Sequence, residues 1–128
     1  HFMIDLNGGP CVAKRLSGCG SGCEYLAVTP WGDFYPCHQF VGNEDFLMGN
    51  VDDGIVRTDI RDEFKLCNVY AKPKCSECFA RYYCSGGCAA NAFQFHGKIT
   101  DAYDIGCEMQ RKRVECAIMM KAAEAAEE

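Results

Sequence analysis

The chain has 128 residues, with 13 basic and 18 acidic side chains and a formal net charge of −5. This length suits one small domain, and the acidic balance argues against non-specific nucleic-acid binding. No apolar run approaches the roughly 18 residues that a membrane span needs, and no signal-peptide pattern opens the chain. We therefore expect a cytoplasmic protein with neither a nucleic-acid nor a membrane partner.

The first predicted regular structure is a β-hairpin, which follows a lead-in over 1–14 and a glycine-rich loop. Residues 25–28 and 34–37 are apolar and aromatic, which predicts two strands. Pro30 and Gly32 suit the turn between them, because proline presets φ and glycine adopts left-handed backbone at low cost.

The rest of the chain is predicted to be mostly helical and rich in loops. Residues 46–51 favour one more short strand, and apolar side chains then recur at helical spacing. The predicted helices are one capped by Thr58 or Asp59 and ended by Pro73, a short one over 88–96, and a long one over 105–128. The fold class is α+β.

Cysteine is the outlier in the composition, with eleven residues, about 9% of the chain. An odd count leaves one thiol unpaired in a disulfide framework, and the sequence has no Asn-x-Ser/Thr sequon. In a reducing compartment dense cysteines are more often metal ligands than disulfides. A disulfide-rich secreted domain whose signal peptide has been removed remains the least favoured alternative.

The strongest motif is Cys75-x2-Cys78-x5-Cys84-x3-Cys88. Four thiols in so short a segment can wrap one metal ion or one corner of a cluster. A single zinc with four sulfur ligands would satisfy this segment alone. Four further cysteines lie in settings that suit metal binding, namely Cys19, Cys23, Cys37 and Cys107. Eight ligands suit two four-sulfur sites, filled either by two iron–sulfur clusters or by two zinc ions.

The spacing Cys19-x12-Gly32-x4-Cys37, followed by the four-cysteine motif and by Cys107, resembles the SPASM domain. This is the C-terminal auxiliary-cluster domain of radical S-adenosylmethionine enzymes that modify ribosomally made peptides. Two further stretches are similar to the thioether-forming maturases of cysteine-rich SCIFF peptides. They are Tyr35-Pro36-Cys37-His38-Gln39-Phe40 and Cys84-Ser85-Gly86-Gly87-Cys88-Ala89-Ala90-Asn91.

The resemblance implies a small, cluster-stabilised SPASM-type domain over 15–120, with a β-hairpin, cysteine-rich loops and a long C-terminal helix. Residues 1–14 are then a lead-in, with His1 interpreted as a cloning remnant, and 121–128 are a fraying acidic helical tail. Two 4Fe–4S clusters are implied, for electron transfer and for binding a substrate thiol. The first would take Cys19, Cys37 and Cys88, with Cys23 as its fourth ligand or with one iron left open. The second would take Cys75, Cys78, Cys84 and Cys107.

One family feature is missing from the sequence. The radical-generating core of these enzymes needs Cys-x3-Cys-x2-Cys, but Leu26 stands at the third position after Cys19-x3-Cys23, and Asn91 after Cys84-x3-Cys88. The resemblance therefore implies that S-adenosylmethionine binds only in an N-terminal barrel of the same protein, and that this chain is inactive alone. Its partners would be that barrel and a cysteine-rich precursor peptide. Zinc could replace iron in an aerobic preparation, and a zinc-held protein-interaction module without redox activity is the alternative function.

Other residues carry weaker predictions. Cys11, Cys67 and Cys116 are predicted to be non-ligand thiols, with Cys67 on the apolar face of its helix. Either Lys72, Lys74 and Arg81 offset the negative charge of a bound cluster, or they are solvated side chains. Backbone N–H groups of 18–22 and 85–87 are predicted to donate hydrogen bonds to sulfur.

Overall fold

A computed structural model describes residues 4–127 of the chain. His1 and Glu128 lie outside the described residues, and so do the first part of the predicted lead-in and the last residue of the predicted C-terminal helix. The architecture is α+β, as expected, with one small sheet and one long helix at the end of the chain.

The sheet has four short antiparallel strands in the order β1-β2-β3-β4. Their bounds are β1 Ala27–Val28, β2 Asp33–Tyr35, β3 Gly49–Asn50 and β4 Gly54–Ile55. The predicted hairpin is confirmed, because Ala27 pairs with Tyr35 in antiparallel register. The Thr29 hydroxyl accepts a 3.0 Å hydrogen bond from the Asp33 N–H group and closes the turn.

The predicted strand over 46–51 is shorter than expected. A 3₁₀ turn occupies Glu44–Phe46, because the Asn43 side chain accepts a hydrogen bond from the Asp45 N–H group and starts the turn. Only Gly49 and Asn50 remain in the sheet, and they pair with β4, a strand that the sequence did not predict.

Five helices and two further 3₁₀ turns complete the fold. The helices are α1 Thr58–Leu66, α2 Pro73–Ser76, α3 Arg81–Cys84, α4 Ala89–His96 and α5 Asp104–Glu127; the turns are Val12–Lys14 and His38–Phe40. The predicted helices over 88–96 and 105–128 are confirmed as α4 and α5. The Gly97 N–H group donates a 2.7 Å hydrogen bond to the Phe93 carbonyl and ends α4 in left-handed backbone.

The first helix differs from its prediction at both ends. Arg57, rather than Thr58 or Asp59, is the residue before the first helical turn, and no side chain caps it. The helix ends at Leu66 instead of reaching Pro73. The Asn68 side-chain oxygen accepts hydrogen bonds from the Tyr70 and Ala71 N–H groups, and this local turn competes with the helix.

The main core lies between the sheet, α1 and α4, and four phenylalanines form its centre. The ring centroids of Phe40 and Phe46 are 4.4 Å apart, and those of Phe46 and Phe93 are 4.7 Å apart. Phe64 meets Phe40 edge to face at 5.5 Å. Burying one such ring contributes about 2–3 kcal/mol, so this cluster fixes the hairpin against the helices.

A smaller buried cluster forms around Val69, Cys75 and Ala102, with Cys107 packed against it. By contrast, α5 buries only Val114 and Ala117 among its described residues. No helix within 4–127 combines the length and the apolar character needed to cross a membrane.

Candidate metal centres

The first candidate centre contains Cys75, Cys78, Cys84 and Cys107, here called the Cys75 group. Burial raises the pKa of the Cys75 thiol, and its neighbours Cys107, Cys84 and Cys78 raise it further. Burial likewise raises the pKa of Cys107, followed by the effect of Cys84. Cys75 and Cys107 therefore each lie near other thiols of the group, and a bound metal would favour the ionised form of both.

Three short segments hold the Cys75 group together. Cys75 lies in α2, Cys84 ends α3, and Cys107 lies in the first turn of α5. Lys74 joins the first and third of these segments, because its Nζ lies 2.9 Å from Asp101 Oδ1 and 2.8 Å from Asp104 Oδ1. The hydrogen bond from Lys74 holds the pKa of Asp101 at about 2. Lys74 thus forms ion pairs and is not simply solvated.

A cavity of about 180 Å³ lies among these thiols and is here called the Cys75 cavity. It has room for several water-sized groups rather than one atom. Arg81 Nε and Gln110 Oε1 belong to side chains that line it, and both atoms are buried with no hydrogen-bond partner among the described residues. Buried polar atoms are normally paired, so a donor and an acceptor here fit an enclosed polar or anionic group.

The second candidate centre contains Cys19, Cys37 and Cys88, here called the Cys19 group. Burial raises the pKa of the Cys37 thiol, hydrogen bonds from the Gln39 and Phe40 N–H groups lower it, and the nearby Cys88 and Cys19 raise it again. Backbone N–H donors to sulfur are typical of iron–sulfur sites. Cys88 precedes the first turn of α4 and also lines the Cys75 cavity.

Two backbone features bring the Cys19 group together. Gly22 has φ of +76° and donates a 2.9 Å hydrogen bond to the Pro36 carbonyl, which ties the Cys19 loop to the segment before Cys37. The chain between Cys84 and Cys88 runs through three left-handed residues, Ser85, Gly86 and Gly87. This loop turns the chain sharply enough for Cys84 and Cys88 to serve different groups.

The prediction of N–H donors to sulfur is wrong at three positions. The backbone N–H of Gly22 donates to the Tyr25 and Pro36 carbonyl oxygens. The N–H of Ser85 donates to the Arg81 carbonyl, and the N–H of Gly87 donates to the Cys84 carbonyl. These hydrogen bonds form because the loops close as turns on themselves and on the hairpin. Near Cys37 it is the turn over His38–Phe40 that presents N–H groups: those of Gln39 and Phe40 lower the pKa of its thiol, and the Phe40 N–H group donates a 3.0 Å hydrogen bond to the Cys37 carbonyl.

Cys23 lies apart from the thiols of the Cys19 group. Its Sγ donates a 3.4 Å hydrogen bond to the Arg61 carbonyl. Burial raises its pKa, and its charged neighbours are Lys65, Arg61, Glu24 and Asp62. The fourth-ligand role of Cys23 stays a prediction, and the side chain faces α1.

A larger cavity of about 550 Å³, here called the Cys19 cavity, is lined by Cys19, Cys23 and Cys67. Cys67 lies just beyond α1, half-buried, and its Sγ donates a 3.2 Å hydrogen bond to the Ile99 carbonyl. Cys67 directly follows the last residue of α1 rather than lying within the helix, and it packs against the main core as its apolar position predicted. Cys11 is exposed and Cys116 is half-buried in α5.

None of the eleven cysteines, all of them in the described part of the chain, forms a disulfide. Within residues 4–127 no three His, Cys, Asp or Glu side chains stand close enough to hold a single metal ion. The donor sets are thus two looser groups of thiols. Gln110 was missed by the sequence reasoning, although it lies three residues after Cys107 and so on the same helix face.

Comparison of the sequence with protein-family models gave no match, and comparison with curated proteins gave none. The two thiol groups and their cavities are therefore the basis on which a function is assigned.

Proposed function

We propose that this chain is a SPASM-type domain that binds two 4Fe–4S clusters, one at the Cys75 group and one at the Cys19 group. The observation that supports the proposal is that Cys37 has Cys88 and Cys19 as nearby thiols, whereas Cys75 has Cys107, Cys84 and Cys78, and that Cys88 also lines the Cys75 cavity. That division follows the ligand sharing implied by the sequence resemblance. A single structural zinc would use the four local cysteines and would leave Cys37 and Cys107 without a role.

The residues around each group suit a net negative inorganic cluster. Arg81 lines the Cys75 cavity and its Nε has no hydrogen-bond partner among the described residues, and the N–H groups of Gln39 and Phe40 lower the pKa of Cys37. Donors to sulfur and nearby positive charge set the reduction potential of such clusters. When bound, these clusters supply one-electron transfer, together with a Lewis-acidic iron wherever a protein ligand is lacking.

The Cys19 group contributes three thiols, whereas the Cys23 thiol donates a hydrogen bond to the Arg61 carbonyl. The Cys19 cavity opens beside Cys19 and has Arg61 and Lys65 on its wall. We assign this cavity to a cysteine-bearing segment of a precursor peptide, whose thiolate would complete the first centre. A metal and the two cations would lower the pKa of that thiol and favour its ionised form.

The domain would act in a reducing cytoplasm as part of a radical S-adenosylmethionine enzyme that installs thioether crosslinks in a cysteine-rich peptide. S-adenosylmethionine would bind in a separate N-terminal barrel, because neither Cys-x3-Cys stretch here continues to a third cysteine at the required position. The part of the enzyme described here would hold the peptide thiol and carry electrons.

Metal and sulfide analysis after anaerobic iron–sulfur reconstitution tests this proposal. We expect about eight iron and about eight sulfide ions per chain, and EPR signals from two interacting clusters after reduction. Zinc at one or two ions per chain, with no sulfide and no uptake of iron, would overturn the proposal and leave a zinc-held interaction module.

The Cys23→Ala variant tests the three-thiol assignment within that proposal. We expect its iron and sulfide content to equal that of the unchanged protein, because Cys23 Sγ donates to the Arg61 carbonyl. Cys116→Ala, a change in the long helix away from both groups, is the matched control. Loss of about half of the iron in Cys23→Ala alone would make Cys23 the fourth ligand.

A further inference from the structure

Lys72 is a buried cation that lines the Cys19 cavity and donates a hydrogen bond to Gly86, a residue that lines the Cys75 cavity. The residue is 3% exposed, and its Nζ donates a 2.9 Å hydrogen bond to the Gly86 carbonyl. Among residues 4–127 no carboxylate oxygen lies within 4.0 Å of this ammonium, whereas Lys74 pairs with two carboxylates. Lysine is almost never buried without an anionic partner, because removing the charge from water is costly.

Lys72 has the thiol of Cys75 as a neighbour in one centre, and it shares the lining of the Cys19 cavity with Cys19 and with Cys67, whose pKa its charge lowers against the larger effect of burial. Gly86 lies in the loop between Cys84 and Cys88, and the adjoining Gly87 lines both cavities. Lys72 itself lines the Cys19 cavity. Its charge also counters the effect of burial on the pKa of Cys75, ahead of every other charged neighbour of that thiol.

The backbone holds this ammonium in place. The Lys72 carbonyl accepts hydrogen bonds from the Cys75 and Ser76 N–H groups, so the residue is fixed at the start of the helix that carries Cys75. The side chain then crosses to the Gly86 carbonyl, where three consecutive left-handed residues leave the oxygen accessible. The cation is thus fixed to a segment of each group.

We propose that Lys72 is a shared counter-cation of the two centres, held between them so that its charge offsets negative charge on both. This inference rests on the function proposed above and assigns the residue a role in setting both reduction potentials. A desolvated positive charge is weakly screened and stabilises the more negative, reduced state of each neighbouring centre. Lys72 acts through the centres and is a positioning residue rather than a catalytic one.

Lys72→Met in the reconstituted chain tests the inference, with Lys72→Arg as the variant that keeps the charge. We expect about a tenfold lower reduced-to-oxidised ratio at fixed potential in Lys72→Met, about 59 mV for a one-electron couple, measured by EPR-monitored redox titration. The shift is larger at the Cys75 group and present at both. Lys98→Met removes an exposed cation that lines neither cavity and is the matched control, expected to shift neither potential appreciably.

The possible results separate the inference from the proposed function. A fully loaded Lys72→Met protein with unchanged potentials overturns the inference, and a shift at one centre alone overturns the sharing. If Lys72→Met loses iron while Lys72→Arg keeps it, the result supports the need for a positive charge at this position. If both variants lose iron, the role of Lys72 is geometric and the inference fails. Failure of the unchanged chain to bind iron would instead remove the proposed function.

Discussion

The two cysteine groups are assembled in different ways. Three of the four thiols in the Cys75 group come from one short segment that folds into α2, α3 and the turns between them. The Cys19 group takes its three thiols from a glycine-rich loop, from the end of the hairpin and from the residue before α4. One group is nearly local in sequence, whereas the other depends on distant segments meeting.

For the metal binding proposed above, this difference sets which segments must come together first in each group. Closing the short loops of the Cys75 group costs less chain entropy than bringing together three remote segments. The Cys19 group also depends on the hairpin, on the aromatic core beneath it and on the loop over 85–87. Metal binding should therefore begin at the Cys75 group, and the Cys19 group should be the more sensitive to changes elsewhere.

The largest expected effect is the loss of bound iron in two separate variants, each of which removes one ligand from one group. Cys37→Ala should reduce iron and sulfide to about half and leave the Cys75 group loaded. In Cys84→Ala the iron and sulfide content should fall below half, because the loop that places Cys88 beside Cys37 begins at Cys84. Iron and sulfide per chain after reconstitution measure both, with Cys116→Ala as the control. Equal losses in the two variants would show that the groups do not depend on each other in this order.

A smaller effect is expected from Gly22→Ala, which tests how the Cys19 loop is attached. The new Cβ would lie 2.9 Å from Phe64 Cβ and Cγ, and the residue has φ of +76°. Left-handed strain and crowding of the core together should cost about 2–4 kcal/mol of unfolding free energy and deplete iron at the Cys19 group first. Denaturant unfolding of the reconstituted protein measures the cost.

Gly42→Ala is the matched control for that change. Gly42 also has positive φ, but nothing lies within 4 Å of its Cβ position, so the expected cost is about 1–2 kcal/mol with iron content unchanged. If Gly22→Ala and Gly42→Ala lose equal unfolding free energy, crowding against Phe64 does not contribute to the effect.

The smallest effect is expected from Asp101→Asn, which loosens the link between α2 and α5 in the Cys75 group. Asp101 has its pKa lowered from 3.8 to about 2, chiefly by the hydrogen bond from Lys74. A lowered pKa means that the carboxylate stabilises the fold above pH 3.8, and that this stabilisation is lost as the pH falls towards about 2. The difference in unfolding free energy between the unchanged protein and Asp101→Asn, here called the stability gap, should therefore become smaller as the pH falls over that range.

Denaturant unfolding of both proteins across this pH range measures the gap. Asp52→Asn, in the exposed turn between β3 and β4, controls for loss of an unpaired charge. A gap that stays constant with pH would show that the ion pair with Lys74 does not stabilise the fold.

Local patterns predicted most of the regular structure. The hairpin, α4 and α5 depend on turn residues and apolar spacing within their own segments, and each appears where expected. The prediction failed at α1, because the Asn68 side chain competes for backbone N–H groups at a point where apolar spacing still favours a helix. It also missed β4, whose two residues carry no strand pattern and pair only because β3 is beside them.

The sequence by itself determined that cysteine dominates the composition and which eight thiols are candidate metal ligands, because ligand spacing is a property of the chain. Only the tertiary structure decided that Cys23 faces Arg61, that Gln110 joins the Cys75 cavity, and that Lys72 is buried while Lys74 forms ion pairs. These outcomes depend on burial and on segments distant in sequence. Burial turns one of two neighbouring lysines into an unscreened charge, and no local pattern distinguishes them.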